Sequence, residues 1–283
     1  MKIWFVTGVS SGLGRALAAA AAGRGDRVLG TVRKAEEGRA LEEANPGLLT
    51  AVADVTDPAG LRAAVLSAEE RLGAIDVLVN NAGRGFTGAI EEASLDEIRS
   101  VFEVNVLGPV SAIQAVLPAM RARQAGHIVN ISSISGVMPW SGTGIYCASK
   151  FALEGIGQTL AQELAPLGIK VTNVQPGGLG TDFSGRSLRH AARRIDDYAG
   201  GAHAAPRALA KTHGGENGDP AKAAAAILTL VDSSSPPLNL LLGADAVNMA
   251  MRRVGNLLGD VGRWAPVSES ISFCPPSPLG LTV

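Results

Sequence analysis

A phenol and an amine stand four residues apart in the stretch "YCASK", as Tyr146 and Lys150. On a helix, positions i and i+4 lie one above the other on the same face. The Lys150 ammonium would then sit close to the Tyr146 hydroxyl. A free tyrosine titrates near pH ~10, and a neighbouring positive charge favours its phenolate. Such a tyrosine can exchange a proton near neutral pH. The other reading is a surface tyrosine beside a solvated lysine, and the surrounding sequence has to decide between them.

A second stretch with chemical potential is "TGVSSGLG", residues 7–14. It follows a short apolar run and opens an Ala-rich helical pattern. Gly8, Gly12 and Gly14 fall in this strand-to-helix turn, with Ser10, Ser11 and Leu13 between them. Glycines there let the backbone approach a pyrophosphate, while the helix N-terminus offers its N–H groups to the anion. The spacing is G-x-x-x-G-x-G, not G-x-G-x-x-G. An ordinary tight turn is the rival reading.

The elements that would position these groups follow one rhythm. Short β-type runs at 3–7, 27–31, 48–54, 75–80, 127–132, 170–176 and 238–242 alternate with helical patterns. Several runs are apolar throughout, as in strands covered on both faces. The alternation predicts a doubly wound (Rossmann) α/β fold, a parallel sheet of about seven strands flanked by helices. One domain is expected over 1–258, with an extension over 259–283. In the last long helical pattern before residue 166, Leu153, Ile156, Leu160 and Leu164 mark one face. Asp219 and Pro220 read as the N-cap and first turn of a later helix. Residues 183–218 break the rhythm, and no strand reads through them. The final ten residues, "CPPSPLGLTV", are Pro-rich and read as an extended tail.

Composition excludes several classes. The chain of 283 residues has a net charge of −1 and 46% hydrophobic residues. A sizeable core is available, and no basic or acidic bias points to nucleic acid or an anionic membrane. The two cysteines, Cys147 and Cys274, form no framework, which fits a reducing compartment. The four histidines, His127, His190, His203 and His213, lie far apart without metal-ligand spacing. The opening "MKIWFVTGVSSG" reads as strand and loop rather than signal peptide. No run reaches the ~18 apolar residues of a membrane span, so a cytoplasmic location is expected.

With "TGVSSGLG", "NNAG" (80–83) and "YCASK" in order, the chain resembles the short-chain dehydrogenase/reductase family over residues 1–182, and more loosely over 219–258. Through "TVRK", "YCASK" and "LLLGADAV" the wording is closest to NADPH-dependent, 17β-hydroxysteroid-dehydrogenase-like members. The resemblance implies a catalytic tetrad. Tyr146 matches the acid/base and Lys150 its partner, which also hydrogen-bonds the nicotinamide ribose. Ser133, in "NISSIS", matches the serine that binds the reacting oxygen, rather than Ser132. Asn105, in "FEVNVLG", matches the asparagine that completes the set and supports a water chain to Lys150. For the cofactor it implies Gly8, Ser10, Ser11, Gly12, Leu13 and Gly14 in the loop. It adds Asp54 and Val55 near the adenine, and Asn80, Asn81, Ala82 and Gly83 beside the riboses. Tyr146 and Lys150 join these, with Pro176, Gly177 and Thr181 around the nicotinamide.

The residues themselves allow these roles and also allow plainer ones. Asn105 extends the stripe of Ile98, Val101 and Phe102, where an inward polar group needs a hydrogen-bond partner. Ser133 ends a strand at the edge where such sheets bind ligands. A structural asparagine, a turn serine, a capping Asp54 or Thr181, and a packing Cys147 are the alternatives.

Cofactor choice is read just after the second strand. Val32 stands where NAD-type members of the family carry an acid, and Arg33 and Lys34 follow. An acid there would bind the free 2′-hydroxyl of NAD, whereas a cation binds the 2′-phosphate of NADP. The first acids beyond, Glu36 and Glu37, belong to the next helix. NADP(H) is therefore expected over NAD(H), with Ser10 and Ser11 adding hydroxyls. Phe86, the loop 134–145 with Met138 and Trp140, and Phe183 onward suit a small hydrophobic carbonyl or alcohol substrate. Over 183–215, Arg186, Arg189, Arg193, Arg194, Arg207 and Lys211 outnumber Asp196 and Asp197 by four. With Phe183, Leu188, Ile195 and Tyr198 they suggest a mobile lid. Family likeness implies a homodimer or homotetramer through helices near 95–122 and 148–165. An NADP(H)-binding sensor or scaffold without turnover, and an epimerase or dehydratase using the same Tyr/Lys chemistry, are the competing functions.

Overall fold

Seven parallel strands form one sheet in the order β3-β2-β1-β4-β6-β7-β9. They are β1 (Ile3–Val6), β2 (Arg27–Val32), β3 (Leu48–Val52), β4 (Val77–Asn80), β6 (Gly126–Ile131), β7 (Ile169–Pro176) and β9 (Asn239–Leu242). A computed structural model describes residues 1–204, 207 and 215–273 of the chain. All seven expected strands are present, and the fold is the doubly wound Rossmann type. Lys211, His213, Cys274 and the Pro-rich tail lie outside the described residues.

The apolar runs are continuous because both faces are covered. In β1, Trp4 and Val6 point into one helical layer and Phe5 into the other, all 0% exposed. The first layer contains α1 (Gly12–Gly23) and α7 (Pro220–Asp232). The second contains α3 (Pro58–Leu72), α5 (Gly108–Arg123) and α6 (Gly144–Leu164). A helix α2 (Ala35–Ala44) follows β2. The Asp219 carboxylate accepts from Ala221 N at 2.7 Å and caps α7, with Pro220 in the first turn.

The long helical pattern after residue 94 is not one regular helix. A capping box between Ser94 and Glu97 starts α4 (Leu95–Phe102), a single π turn spans Glu103–Leu107, and α5 follows. Gly108 stands where α5 meets the loop after β3: a Cβ there would lie 3.0 Å from Val55 O. By length and composition Leu95–Arg123 resembles a membrane span, contrary to the sequence reading, yet 44% of its most apolar window is buried inside the fold. Its α5 part is apolar where it packs against the sheet, and its α4 part where Val101 meets Phe86 and Ile145.

Residues 183–218 also differ from expectation. A π turn, Phe183–Ser187, leads into a strand β8 (Leu188–His190), which pairs in parallel with β5 (Gly85–Thr87). Both strands have three residues, too short for an alternation pattern to register. The last helix, α8 (Ala244–Glu269), does not break at residue 258. Ala246 and Ala250 anchor its first turns against Ile134, while Val254, Leu257, Leu258, Val261 and Trp264 are exposed.

Four asparagines occupy one level of the sheet, because the register aligns Asn80 with Asn130, Asn130 with Asn173, and Asn173 with Asn239. Asn80 Nδ2 donates to Asn130 Oδ1 at 2.9 Å, and Asn130 Nδ2 donates to Asn173 Oδ1 at 3.0 Å. Asn80, Asn130 and Asn173 are buried. Replacing Asn130 with Leu would orphan a buried donor and a buried acceptor. At about 1–3 kcal/mol for each, Asn130→Leu is expected to destabilise the fold by ~2–6 kcal/mol, read as a lowered urea midpoint at unchanged slope.

Candidate active site

The sheet order reverses between β1 and β4, and ligand clefts in open α/β sheets form outside the carboxyl ends of strands at such a point. A cleft of about 1360 Å³ lies there. Gly8, Ser10, Ser11, Gly12, Leu13, Arg33, Asp54, Val55, Asn81, Ala82, Gly83, Ser133, Tyr146, Lys150, Pro176, Gly177 and Thr181 all line it.

The glycine loop adopts the backbone its residue types allow. Gly8 and Gly12 have φ of 72° and 60°, a left-handed region costly for other residues. A Cβ on Gly8 would lie 3.1 Å from Ala82. Gly8 N donates to Thr31 Oγ1 at 3.0 Å, which ties the loop to β2. No side chain caps α1 and its first turn carries no acid, so its N-terminal N–H groups face the cleft without a protein anion. These features fit a pyrophosphate. Gly14 plays another part: a Cβ there would lie 2.2 Å from Asn81 Nδ2 and 2.5 Å from Gly8 O, so it is a packing glycine beneath the loop. Asn81 Nδ2 donates to the carbonyls of Thr7 and Gly8 at 2.8 and 2.9 Å. Thr7 Oγ1 in turn accepts from Asn81 N and Ala82 N, both at 3.0 Å. Asn80 points away from the cleft, into the asparagine row.

At the other end of the cleft α6 presents Tyr146 and Lys150. Tyr146 is half-buried and its ring meets that of Phe183 at 5.9 Å. Removal from water pushes its hydroxyl up to about 12, although the Ser133 hydroxyl pulls the other way. Lys150 is 4% exposed, and its Nζ donates to Ile131 O at 2.8 Å and lies 6.0 Å from the Tyr146 ring centre. Burial pushes the amine down to about 8, opposed by the charge of Glu154. The net lowering of the tyrosine expected from the sequence is not seen in the open cleft. The pair does share a face, but desolvation is the largest influence on each group.

Asn105 is 0% exposed and sits behind the cleft wall, inside the π turn. Its Oδ1 accepts from Arg84 N and its Nδ2 donates to Arg84 O, both at 2.8 Å. Nδ2 also donates to Ser149 Oγ at 2.9 Å, and that hydroxyl donates to Tyr146 O at 2.7 Å. Asn105 thus clamps the backbone after "NNAG" to the tyrosine's own turn. Gly83 separates the groups: a Cβ there would lie 3.6 Å from Asn105 Oδ1 and 3.7 Å from Lys150 Nζ. Asp245 Oδ2 accepts from Gly178 N at 2.9 Å and holds the loop after β7.

The substrate end is lined by Phe86, Trp140, Phe183, Leu188 and Met249. Met138 instead packs with Ile134 and Ala246, beneath α8. The described part of 183–218 is tied down. β5–β8 pairing holds one side, and buried Glu92 accepts from Ile195 N at 2.7 Å and pairs with His203 Nε2 at 2.6 Å. The first of these bonds leads in holding the Glu92 carboxyl down to about 2. Arg186 and Arg189 of this segment line the cleft. Residue-by-residue reading missed Thr7, Thr31, Ser149, Glu92 and Arg84. The fixed position of Ser149 between Tyr146 and Lys150 was the one local signal available.

Comparison with known proteins agrees with this geometry. A family profile described as short chain dehydrogenase matches residues 2–191. A 3-ketodihydrosphingosine reductase of Bacteroides thetaiotaomicron is 39% identical over 86% of this chain and 88% of its own. The crystal structure of a short-chain dehydrogenase from Streptomyces avermitilis is 40% identical, superposes with a TM-score of 0.90, and matches 96% of this chain and 100% of that one. A serine dehydrogenase complexed with NADP+ is 26% identical with a TM-score of 0.72, over 85% of this chain and 94% of that one. The chain belongs to the short-chain dehydrogenase family, as an oxidoreductase that acts on CH–OH groups with a nicotinamide cofactor.

Proposed function

We propose that the protein is an NADP(H)-dependent reductase of hydrophobic ketones or aldehydes, the reverse reaction oxidising the alcohol, with Tyr146 as acid and base. The convergence of Tyr146, Ser133 and Lys150 on one cleft with the glycine loop carries this reading. The loop from Gly8 to Leu13 would hold the pyrophosphate, Asp54 and Val55 the adenine side, and Asn81 to Gly83 with Pro176, Gly177 and Thr181 the nicotinamide side. The bound cofactor supplies or accepts the hydride.

The chain's own residues manage the proton and the oxygen. Ser133 and Tyr146 donate hydrogen bonds to the substrate oxygen, where charge builds up, and fixed donors in a half-enclosed cleft act more strongly than water. Tyr146 then gives up its proton. A hydroxyl held at about 12 keeps that proton across the physiological range, as an acid for reduction requires. Lys150 places a cation behind the phenolate left by transfer. The apolar side chains Phe86, Trp140, Phe183, Leu188 and Met249 suit a hydrophobic substrate, and the similarity to a 3-ketodihydrosphingosine reductase supports a long-chain one. Family likeness supports a homodimer or homotetramer through α4–α5 and α6, where Leu107 and Phe151 are exposed.

Tyr146→Phe keeps the ring and removes the transferable proton. Carbonyl reduction is expected to fall about 10²–10⁴-fold with cofactor affinity retained, measured with a ketone panel and fluorescence titration. Normal turnover by the variant would overturn the role of Tyr146. A wild type that binds cofactor but turns over no carbonyl compound would instead favour a sensor.

Cofactor preference rests on the end of β2. Val32 is 2% exposed and offers no acid, while Arg33 is exposed at the cleft. Arg33 grips a 2′-phosphate with a two-pronged set of N–H groups. Charge-assisted hydrogen bonds contribute about 1.5–3 kcal/mol each, so NADPH is expected to bind roughly 10- to 100-fold tighter than NADH. Val32→Asp with Arg33→Ala should erode or invert the ratio of the two dissociation constants. Equal affinities in the wild type would defeat the preference.

A further inference from the structure

One buried ionisable side chain takes no part in the chemistry above. Glu154 lies one turn after Lys150 on α6 and is 4% exposed. Its Oε2 accepts from Asn173 Nδ2 and from Gln175 Nε2, both at 2.9 Å, and its backbone carbonyl accepts from Asn173 Nδ2 at 3.2 Å. The Ser132 hydroxyl stands beside this carboxyl and also favours its ionised form. The 3-10 turn 134–136 closes over both: a Cβ on Gly136 would lie 2.9 Å from Ser132 Oγ and 3.0 Å from Glu154 Cγ.

The polarity of the asparagine row is the telling feature. Each amide donates toward the next, from Asn80 to Asn130, Asn130 to Asn173, and Asn173 to Glu154. A chain of hydrogen bonds running in one direction polarises itself. Its donor end points at the carboxylate, and Gln175 adds a second donor. Donors aimed at an acceptor-only group stabilise its ionised form. Burial pushes the Glu154 carboxyl above the usual carboxylate range, and these donors, with the Ser132 hydroxyl and the Lys150 charge, oppose that rise and favour the ionised form.

One turn back along α6, the Lys150 ammonium is, among the described residues, the charged group whose field acts on this carboxylate. Ser132 on the strand side, Asn173 and Gln175 on β7, and Asn239 on β9 complete the surroundings, and all are neutral. We propose that Glu154 is a positioning residue for the reaction: its carboxylate, held ionised by Asn173 and Gln175, keeps Lys150 protonated beneath the cleft. Lys150 in turn acts on Tyr146. The step involves one proton, bound at Lys150 Nζ rather than released to water. The proposal rests on the reductase reading only for its consequence in turnover, not for the charge state itself.

The test reads Lys150 directly in the cofactor-free protein. The chain has six lysines, so ¹³Cε/¹⁵Nζ lysine labelling followed by NMR titration is tractable, with Lys150→Met assigning the resonance. Wild-type Lys150 is expected to titrate near 8. Glu154→Gln keeps an acceptor for Asn173 and Gln175 but removes the charge. Its Lys150 midpoint should fall by roughly one pH unit or more, the scale of a lost opposite charge. The alkaline limb of carbonyl reduction should fall with it. If Glu154→Gln does not accumulate folded, Gln175→Leu replaces it: with one donor to the carboxylate gone, the midpoint should move in the same direction. An unmoved Lys150 midpoint in the folded variant overturns the proposal, because a packing role would change melting temperature without changing that titration. A wild type without carbonyl turnover would defeat the reductase reading and leave the titration to judge Glu154 by itself.

Discussion

An almost fully buried ammonium group at the floor of the cleft organises the centre of this molecule. Burying a charge is unfavourable by several kcal/mol unless partners replace its hydration, and Lys150 is 4% exposed. Ile131 O at the carboxyl end of β6 supplies one partner, and the Glu154 charge supplies a field. Both depend on α6 lying close across β6 and β7. Glycine makes the approach possible: a Cβ on Gly157 would stand 2.0 Å from Asn173 Oδ1. The sheet register then places Asn80, Asn130 and Asn173 at one level, so the polar row that supports Glu154 is also part of what aligns the strands.

The two halves of the cleft are held by different devices, and both act on backbone. At the cofactor end, Thr7, Thr31 and Asn81 tie the glycine loop to its neighbours through main-chain groups. At the tyrosine end, Asn105 grips both polar groups of Arg84 and reaches Ser149. A regular α-helix would continue its 3.6-residue repeat through that position. The π turn shifts the register at Asn105 and brings one side chain onto three partners. Local helix irregularity here buys geometry at the site.

How much of this was legible follows the length and period of each signal. Seven strands read correctly because runs such as "IWFV" are apolar throughout and lie between helices on both faces. The Asp219–Pro220 start of α7 read correctly because capping chemistry is local. The strands Gly85–Thr87 and Leu188–His190 were not legible, since their pairing joins residues about a hundred positions apart and neither shows alternation. Most expected cofactor residues do line the cleft, because they sit at the ends of strands that could be placed. Gly14 and Asn80 do not, and the reason is packing: one is pressed beneath the loop and the other is drawn into the asparagine row. Glu154 carried no sequence signal, because a glutamate at helical spacing from a lysine usually reads as an exposed ion pair.

The relation between Tyr146 and Lys150 shows why spacing alone does not give the net shift of either group. Adjacent opposite charges stabilise each other, but burial acts first on each charge separately. It raises the phenol to about 12 and lowers the amine to about 8, so both neutral forms gain. The consequence is an order of release. With the cleft in this state, a proton lost to alkaline solvent comes from Lys150 before Tyr146. In the proposed reaction the tyrosine keeps its proton until a substrate oxygen demands it. Once that proton has gone, the phenolate faces the Lys150 cation at 6.0 Å from its ring centre, and the field expected from the i, i+4 spacing becomes attractive. On the proposed mechanism the lysine acts mainly on the state that follows proton transfer, with the proposed Glu154 carboxylate keeping it charged.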